Sequence, residues 1–251
     1  MTESNTLGDR QSETGQVLTY RHPPWVRICH WLTAISIILL LITGVVILLA
    51  HPRLYWGEDG FFGDPAFISF GHFEYADYLG ASRSVHFFFA WVLGLSGTSY
   101  ALFALARGRI RKFLVPERDQ VKPAHIVAQL KEHIQLKVPT GKDARRYNLF
   151  QKIAYSVVLF VLIPGIILSG LAMSPSVAAS YPDLFKLFGG RQSARTIHFL
   201  LASSLLLFFL IHLFQVLLVG FGDGIRSMTT GWHTLPQERA QTQSFKEGEQ
   251  T

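Results

Sequence analysis

T-I-H-F-L-L-A-S-S-L-L-L-F-F-L-I-H-L-F-Q-V-L-L-V, residues Thr196 to Val219, contains no charged side chain and yet carries two histidines. About twenty apolar residues in a helix rise roughly 30 Å, the thickness of the hydrocarbon core of a bilayer. The stretch therefore reads as a transmembrane helix. Three further charge-free runs precede it: Trp31 to Ala50, Val85 to Ala106 and Ile153 to Met173. No fifth run reaches spanning length. The expected fold is all-α, a membrane four-helix bundle forming one transmembrane domain over residues 1–251. Its helices are placed at about 31–50, 85–106, 153–173 and 196–219, with flexible tails at about 1–18 and 234–251.

Composition agrees with this reading. Only 16% of the 251 residues are charged and 49% are hydrophobic, whereas soluble domains carry about 25% charged residues. The first run begins after a polar lead of thirty residues. No small-residue cleavage site follows it, so it reads as a retained helix and not a signal peptide. Cys29 is the single cysteine. It permits no intrachain disulfide and no iron–sulfur ligation by this chain alone, and the lack of C-x-x-C-H excludes covalent attachment of a c-type haem.

Charge sets the expected orientation. Between the second and third runs lie Arg107, Arg109, Arg111, Lys112, Arg118, Lys122, Lys131, Lys137, Lys142, Arg145 and Arg146. Such a loop is cytoplasmic by the positive-inside rule. The loop between the first and second runs carries Glu58, Asp59, Asp64, Glu74 and Asp77 against Arg53 and Arg83, which suits the periplasm. Both termini then face the cytoplasm, in a multi-pass protein of the bacterial inner membrane. The net charge of +6 is concentrated in the basic loop, where topology and anionic headgroups account for it without nucleic acid. In that loop Ile126, Val127, Leu130 and Ile134 recur at helical spacing beside Lys131 and Glu132. The pattern suits a short helix on the membrane surface, and an ordinary amphipathic connector is the simpler reading.

Ionisable groups in a bilayer are costly and mark pathways or cofactors. Four of the ten histidines lie in or at the edge of a run: His30, His86, His198 and His212. His198 and His212 are fourteen residues apart, which returns the second to within about 40° of the first and separates them axially by roughly 21 Å. That is too far for one haem and suitable for two. Depth then selects the partners. His86 and His198 both lie near the periplasmic starts of their helices, while His30 and His212 lie towards the cytoplasmic side. Two bis-histidine sites use all four residues.

A lone histidine at a helix end is more often a cap or an interfacial residue than a ligand. The case here rests on the joint match of depth and face. His51 competes for the periplasmic site, whereas solvation suffices for His22, His72, His125, His133 and His233. Gly44, Gly94, Gly97 and Gly170 permit close helix approach or leave room for a flat macrocycle. Pro164 should kink the third helix. Phe87, Phe88, Phe89 and Trp91 suit either a haem wall or lipid.

R-I-C-H-W at Arg27 to Trp31, S-V-H-F at Ser84 to Phe87, R-Y-N-L-F-Q-K at Arg146 to Lys152, and I-H-F-L with I-H-L-F around His198 and His212 carry a resemblance. From about Tyr20 to Trp232 the chain resembles the b-type cytochrome subunits of nickel–iron hydrogenases, related to bacterial cytochrome b561 and formate dehydrogenase gamma subunits. The resemblance implies that the four histidines ligate two haems b. It further implies a respiratory complex in which electrons pass between a periplasmic redox partner and the membrane quinone pool. On that resemblance the partner would be an iron–sulfur, molybdopterin or hydrogenase subunit docked near the periplasmic haem, and quinone would react beside the cytoplasmic one, near His30 and His212. The segment Trp56 to Phe67 is similar to loops of cytochromes encoded beside molybdopterin oxidoreductases, although its glycines and acids also suit a plain surface loop.

The first expectation is thus an electron-transfer subunit with no catalytic residues of its own. A second is a stand-alone cytochrome b561 that oxidises quinol with a small oxidant. The long acidic loop and the extended basic segment favour the docked subunit. A third is a haem-free proton relay through the histidines, but the four runs hold no Asp, Glu, Lys or Arg to continue such a path.

Overall fold

The computed structural model describes residues 10–11, 17–58, 65–71, 78–134 and 148–234. Four of its helices are long and apolar enough to cross a membrane: Pro24–Ala50, Leu79–Ala106, Leu149–Met173 and Arg191–Leu218. In chain order the elements are β1 (Arg10–Gln11), β2 (Val17–Tyr20), α1 (Pro24–Ala50), β3 (Arg53–Leu54), β4 (Ile68–Ser69), α2 (Leu79–Ala106), α3 (Arg109–Leu114) and α4 (Pro123–Ile134). Then come α5 (Leu149–Val157), a π turn at Val158–Leu162, α6 (Ile163–Met173), α7 (Pro175–Ser180), a 3-10 turn at Phe185–Phe188, α8 (Arg191–Thr230) and β5 (Trp232–Thr234).

Each span begins earlier than its charge-free run, because helical hydrogen bonding continues past the point where charged residues enter. Arg27, Arg83, Lys152, Arg191 and Arg195 all lie within helices. The third span opens on a reciprocal cap: Gln151 N–H donates to Asn148 Oδ1 at 2.8 Å, and Asn148 N–H to Gln151 Oε1 at 3.2 Å. The two bonds satisfy two of the donors a helix start leaves orphaned. Pro164 lacks the N–H an α-turn would use. The chain takes the wider π turn just before it, with Ile163 N–H reaching Val158 O, so the register shift absorbs the proline. The fourth helix is interrupted after its span at Gly220, whose φ of 130° and ψ of 97° need a residue without Cβ.

Contacts divide the chain into two compact units: Cys29–Phe103 with Tyr155–His212, and Met1–Ile28 with Ala104–Ala154 and Leu213–Thr251. The first is a closed ring of four helices. Thr33 and Ser96 hydroxyls meet at 3.2 Å between α1 and α2. Gly97 on α2 faces Ile163 on α6, and Gly165 on α6 faces Leu201 on α8. His212 on α8 returns to His30 on α1. Apolar side chains such as Ile42, Leu95 and Leu207 point outward while Ser36, Thr43, Ser96 and Ser169 are buried. Lipid removes the usual penalty for an apolar exterior, and small residues let the helix backbones approach. The strand pair β3–β4 is pinned to the start of α8: Gly57 O accepts the N–H groups of Gln192 and Ser193, and Thr196 Oγ1 donates to Tyr55 O at 2.6 Å. The Gln192 and Ser193 bonds use N–H groups left orphaned at the N-terminus of α8.

In the other unit, β2 pairs antiparallel with both β1 and β5. Arg10–Gln11, Val17–Leu18 and Thr234 are therefore strand where tails were expected. Their backbone groups pair with one another, so this strand pairing continues past the edges of the apolar sequence. The remainder of both tails lies outside the described residues, as do Asp59, Asp64, His72, Glu74, Asp77, Lys137, Lys142, Arg145 and Arg146. Lys152 is only 2% exposed, and its ammonium donates to Gln120 Oε1 at 2.8 Å and Val115 O at 3.2 Å, with Glu117 at 3.6 Å. A buried charge without such partners would cost several kcal/mol, about 3–5 on mutational evidence. This pairing is what allows the third helix to begin before its apolar run.

Candidate functional site

All four candidate histidines fall in the four-helix unit, and they meet in pairs. His86 and His198 are each the eighth residue of their helices, and their ring centres are 6.3 Å apart. His30 and His212 have ring centres 6.4 Å apart. His51 is exposed at the end of α1, and its backbone carbonyl accepts a hydrogen bond from Arg195.

Hydrogen bonding sets the tautomer in the first pair. Thr43 Oγ1 donates its one proton to Leu39 O at 2.7 Å, so at 3.0 Å from His86 Nδ1 it accepts. Ser169 Oγ likewise donates to Gly165 O at 2.8 Å and accepts from His198 Nδ1 at 3.0 Å. With the hydroxyls accepting, both rings carry their proton on Nδ1, and the Nε2 lone pairs are left for a metal. Each hydroxyl is followed by a glycine that makes room for the ring. A Cβ at Gly44 would lie 3.5 Å from His86 Cε1, and one at Gly170 would lie 3.3 Å from His198 Cε1. Sequence reading picked out both glycines but missed Thr43 and Ser169. The available signal was the hydroxyl-glycine dipeptide, but it occurs on three spans, as Thr43–Gly44, Ser96–Gly97 and Ser169–Gly170, so it does not single out the two that back a histidine.

The second pair is held by aromatic contacts. The His212 ring stacks on Phe208 at 6.0 Å with 8° between planes, and the His30 ring meets Trp31 edge-on at 5.5 Å. Phe208 in turn packs against Tyr155. Phe208 precedes His212 by four residues, one helical turn, a relation legible from the sequence.

The spacing tests what these pairs can hold. Two imidazoles on opposite sides of one metal, with bonds of about 2 Å and roughly 1.1 Å from nitrogen to ring centre, have centres about 6.3 Å apart. Both pairs meet that spacing. Among the described residues no group of three or more His, Cys, Asp or Glu is placed to hold a metal ion. A metal held by such a pair would bring its remaining donors with it, as haem iron does.

A family model described as prokaryotic cytochrome b561 matches residues 21–231. The chain belongs to the prokaryotic cytochrome b561 family. It is a membrane electron-transfer protein of a haem b-binding family, and its four apolar helices make it a multi-pass protein of the bacterial inner membrane. A relative from Azospira oryzae, named "Putative protein-methionine-sulfoxide reductase subunit YedZ1", is 33% identical over 199 residues, covering 79% of this chain and 90% of the relative. No solved structure matches this cytochrome.

Proposed function

We propose that this cytochrome is the di-haem b membrane subunit of a respiratory oxidoreductase complex, carrying electrons between a periplasmic redox partner and the quinone pool. His86 with His198 would hold one haem and His30 with His212 the other. The observation that carries the reading is the occurrence of two imidazole pairs, each at the separation of a shared metal, with no third His, Cys, Asp or Glu donor grouped with either among the described residues. When bound, haem b supplies a one-electron iron couple whose potential responds to its axial ligands and their hydrogen bonds. Thr43 and Ser169 hold the Nδ1 protons and keep both rings turned inward. The apolar exterior keeps both pairs within the hydrocarbon, where water does not compete for the ligands.

The basic loop supports cytoplasmic termini by the positive-inside rule; in that orientation His86 and His198 would lie towards the periplasm and His30 and His212 towards the cytoplasmic leaflet, where quinone would react. The Azospira relative is named as a reductase subunit. That favours a periplasmic reductase as partner over a hydrogenase or a stand-alone cytochrome, with electrons flowing outward from quinol.

The test is a dithionite-reduced minus oxidised spectrum of purified protein with pyridine haemochrome quantification. About two low-spin haems b per chain are expected from two bis-histidine sites. One haem per chain would refute the second site, and none in folded protein would overturn the reading.

A further inference from the structure

The segment joining the second and third spans takes no part in the histidine pairs, yet it is built with care. Pro123 starts α4 where its missing N–H costs nothing. One face of α4 turns inward: Gln129 Oε1 accepts the N–H of Leu149, the first residue of the third span, at 3.2 Å, and Gln129 Nε2 lies 2.9 Å from His125 Nε2. The turn before α4 is held to the same span end by Lys152, through Gln120 and Val115 O. These bonds fix α4 at the level where the apolar span begins. Its opposite face is apolar and open, with Val127 66% and Leu130 48% exposed and Val121 51% exposed just ahead of the helix. Lys122 and Lys131, both exposed, border that face.

We propose that α4 is an interfacial helix that seats Val127 and Leu130 in the bilayer surface and recognises anionic phospholipid headgroups through Lys122 and Lys131. An apolar face with a basic border, tied to the membrane end of a span, is what an in-plane helix requires. A second copy of the chain is the poorer occupant. The three aliphatic side chains described on this face fall well short of the roughly 800 Å² per partner that a stable interface buries. The connector expected from the sequence thereby gains a partner, the lipid surface, and the proposal is independent of haem content.

The experiment uses the full-length cytochrome with Leu130→Cys, labelled with an environment-sensitive fluorophore in phosphatidylcholine nanodiscs with and without phosphatidylglycerol. Cys29 is buried, and the labelled wild type serves as the blank. Headgroup-level nitroxide lipids are expected to quench the probe, more strongly with phosphatidylglycerol. Lys122→Gln and Lys131→Gln should each reduce the lipid-bound ratio about fivefold in anionic discs. A solvent-exposed probe, a probe shielded without lipid quenching, or equal quenching in both lipids would each overturn the proposal.

Discussion

The two histidine pairs have the same separation but different supports. His86 and His198 are each held by a hydroxyl on a neighbouring helix and backed by a glycine. His30 and His212 are positioned by Trp31 and Phe208, through ring contacts alone among the described interactions. A hydrogen bond fixes both ring orientation and tautomer, and it strengthens the ring as a donor. Aromatic packing fixes orientation only. Similar reach thus comes with unequal preorganisation, and the two sites should respond differently to the same kind of change.

Ligand removal produces the largest effect. His212→Leu leaves His30 without a fixed tautomer, and haem should fall from about two to about one per chain. His198→Leu leaves His86 still held by Thr43, so part of that haem should remain, five-coordinate and high-spin. Haemochrome counts with the reduced spectrum distinguish these outcomes. Equal losses would show that the hydroxyls add nothing to retention.

The hydroxyls come next. Thr43→Val or Ser169→Ala should weaken haem retention at that site about 10–100-fold. The reduction potential of the site should rise, because an imidazole without its Nδ1 acceptor donates less to the ferric state. In a redox titration with two components, one should move upward and the other stay. Phe208→Leu should not reproduce that shift. Movement of both components, or of neither, would break the contrast between the sites.

The unequal legibility of the sequence follows from the same physics. Spans and histidine faces depend on local periodicity, so the charge-free runs around Thr196 to Val219 and the fourteen-residue spacing were readable directly. Span starts were not, because Lys152 enters the helix only through partners at Val115, Glu117 and Gln120, more than thirty residues away in the chain. Thr43 and Ser169 were invisible for a similar reason. A hydroxyl in a span usually bonds back to its own helix, and only the fold shows that each also accepts from a histidine on another. Pro164 was expected to kink the third helix; the π turn at Val158–Leu162 lies just before it and was not read from the sequence.

The smallest effect concerns the two glycines, where opposing terms nearly cancel. Glycine to alanine within a helix gains about 0.5–1 kcal/mol, while overfilling a packed site costs about 1–3 kcal/mol. At Gly44 the added methyl would sit 3.5 Å from His86 Cε1, an ordinary contact, so Gly44→Ala should be neutral or slightly stabilising. At Gly170 the corresponding distance is 3.3 Å to His198 Cε1. That ring cannot swing aside without giving up Ser169, so Gly170→Ala should lower the thermal midpoint and loosen haem. Ser169→Ala combined with Gly170→Ala should lose less than the two single losses together, because once the hydrogen bond is gone the ring is free to move. Strict additivity in that cycle would mean that the hydroxyl does not hold the ring, and the proposed difference between the two sites would fail at its source.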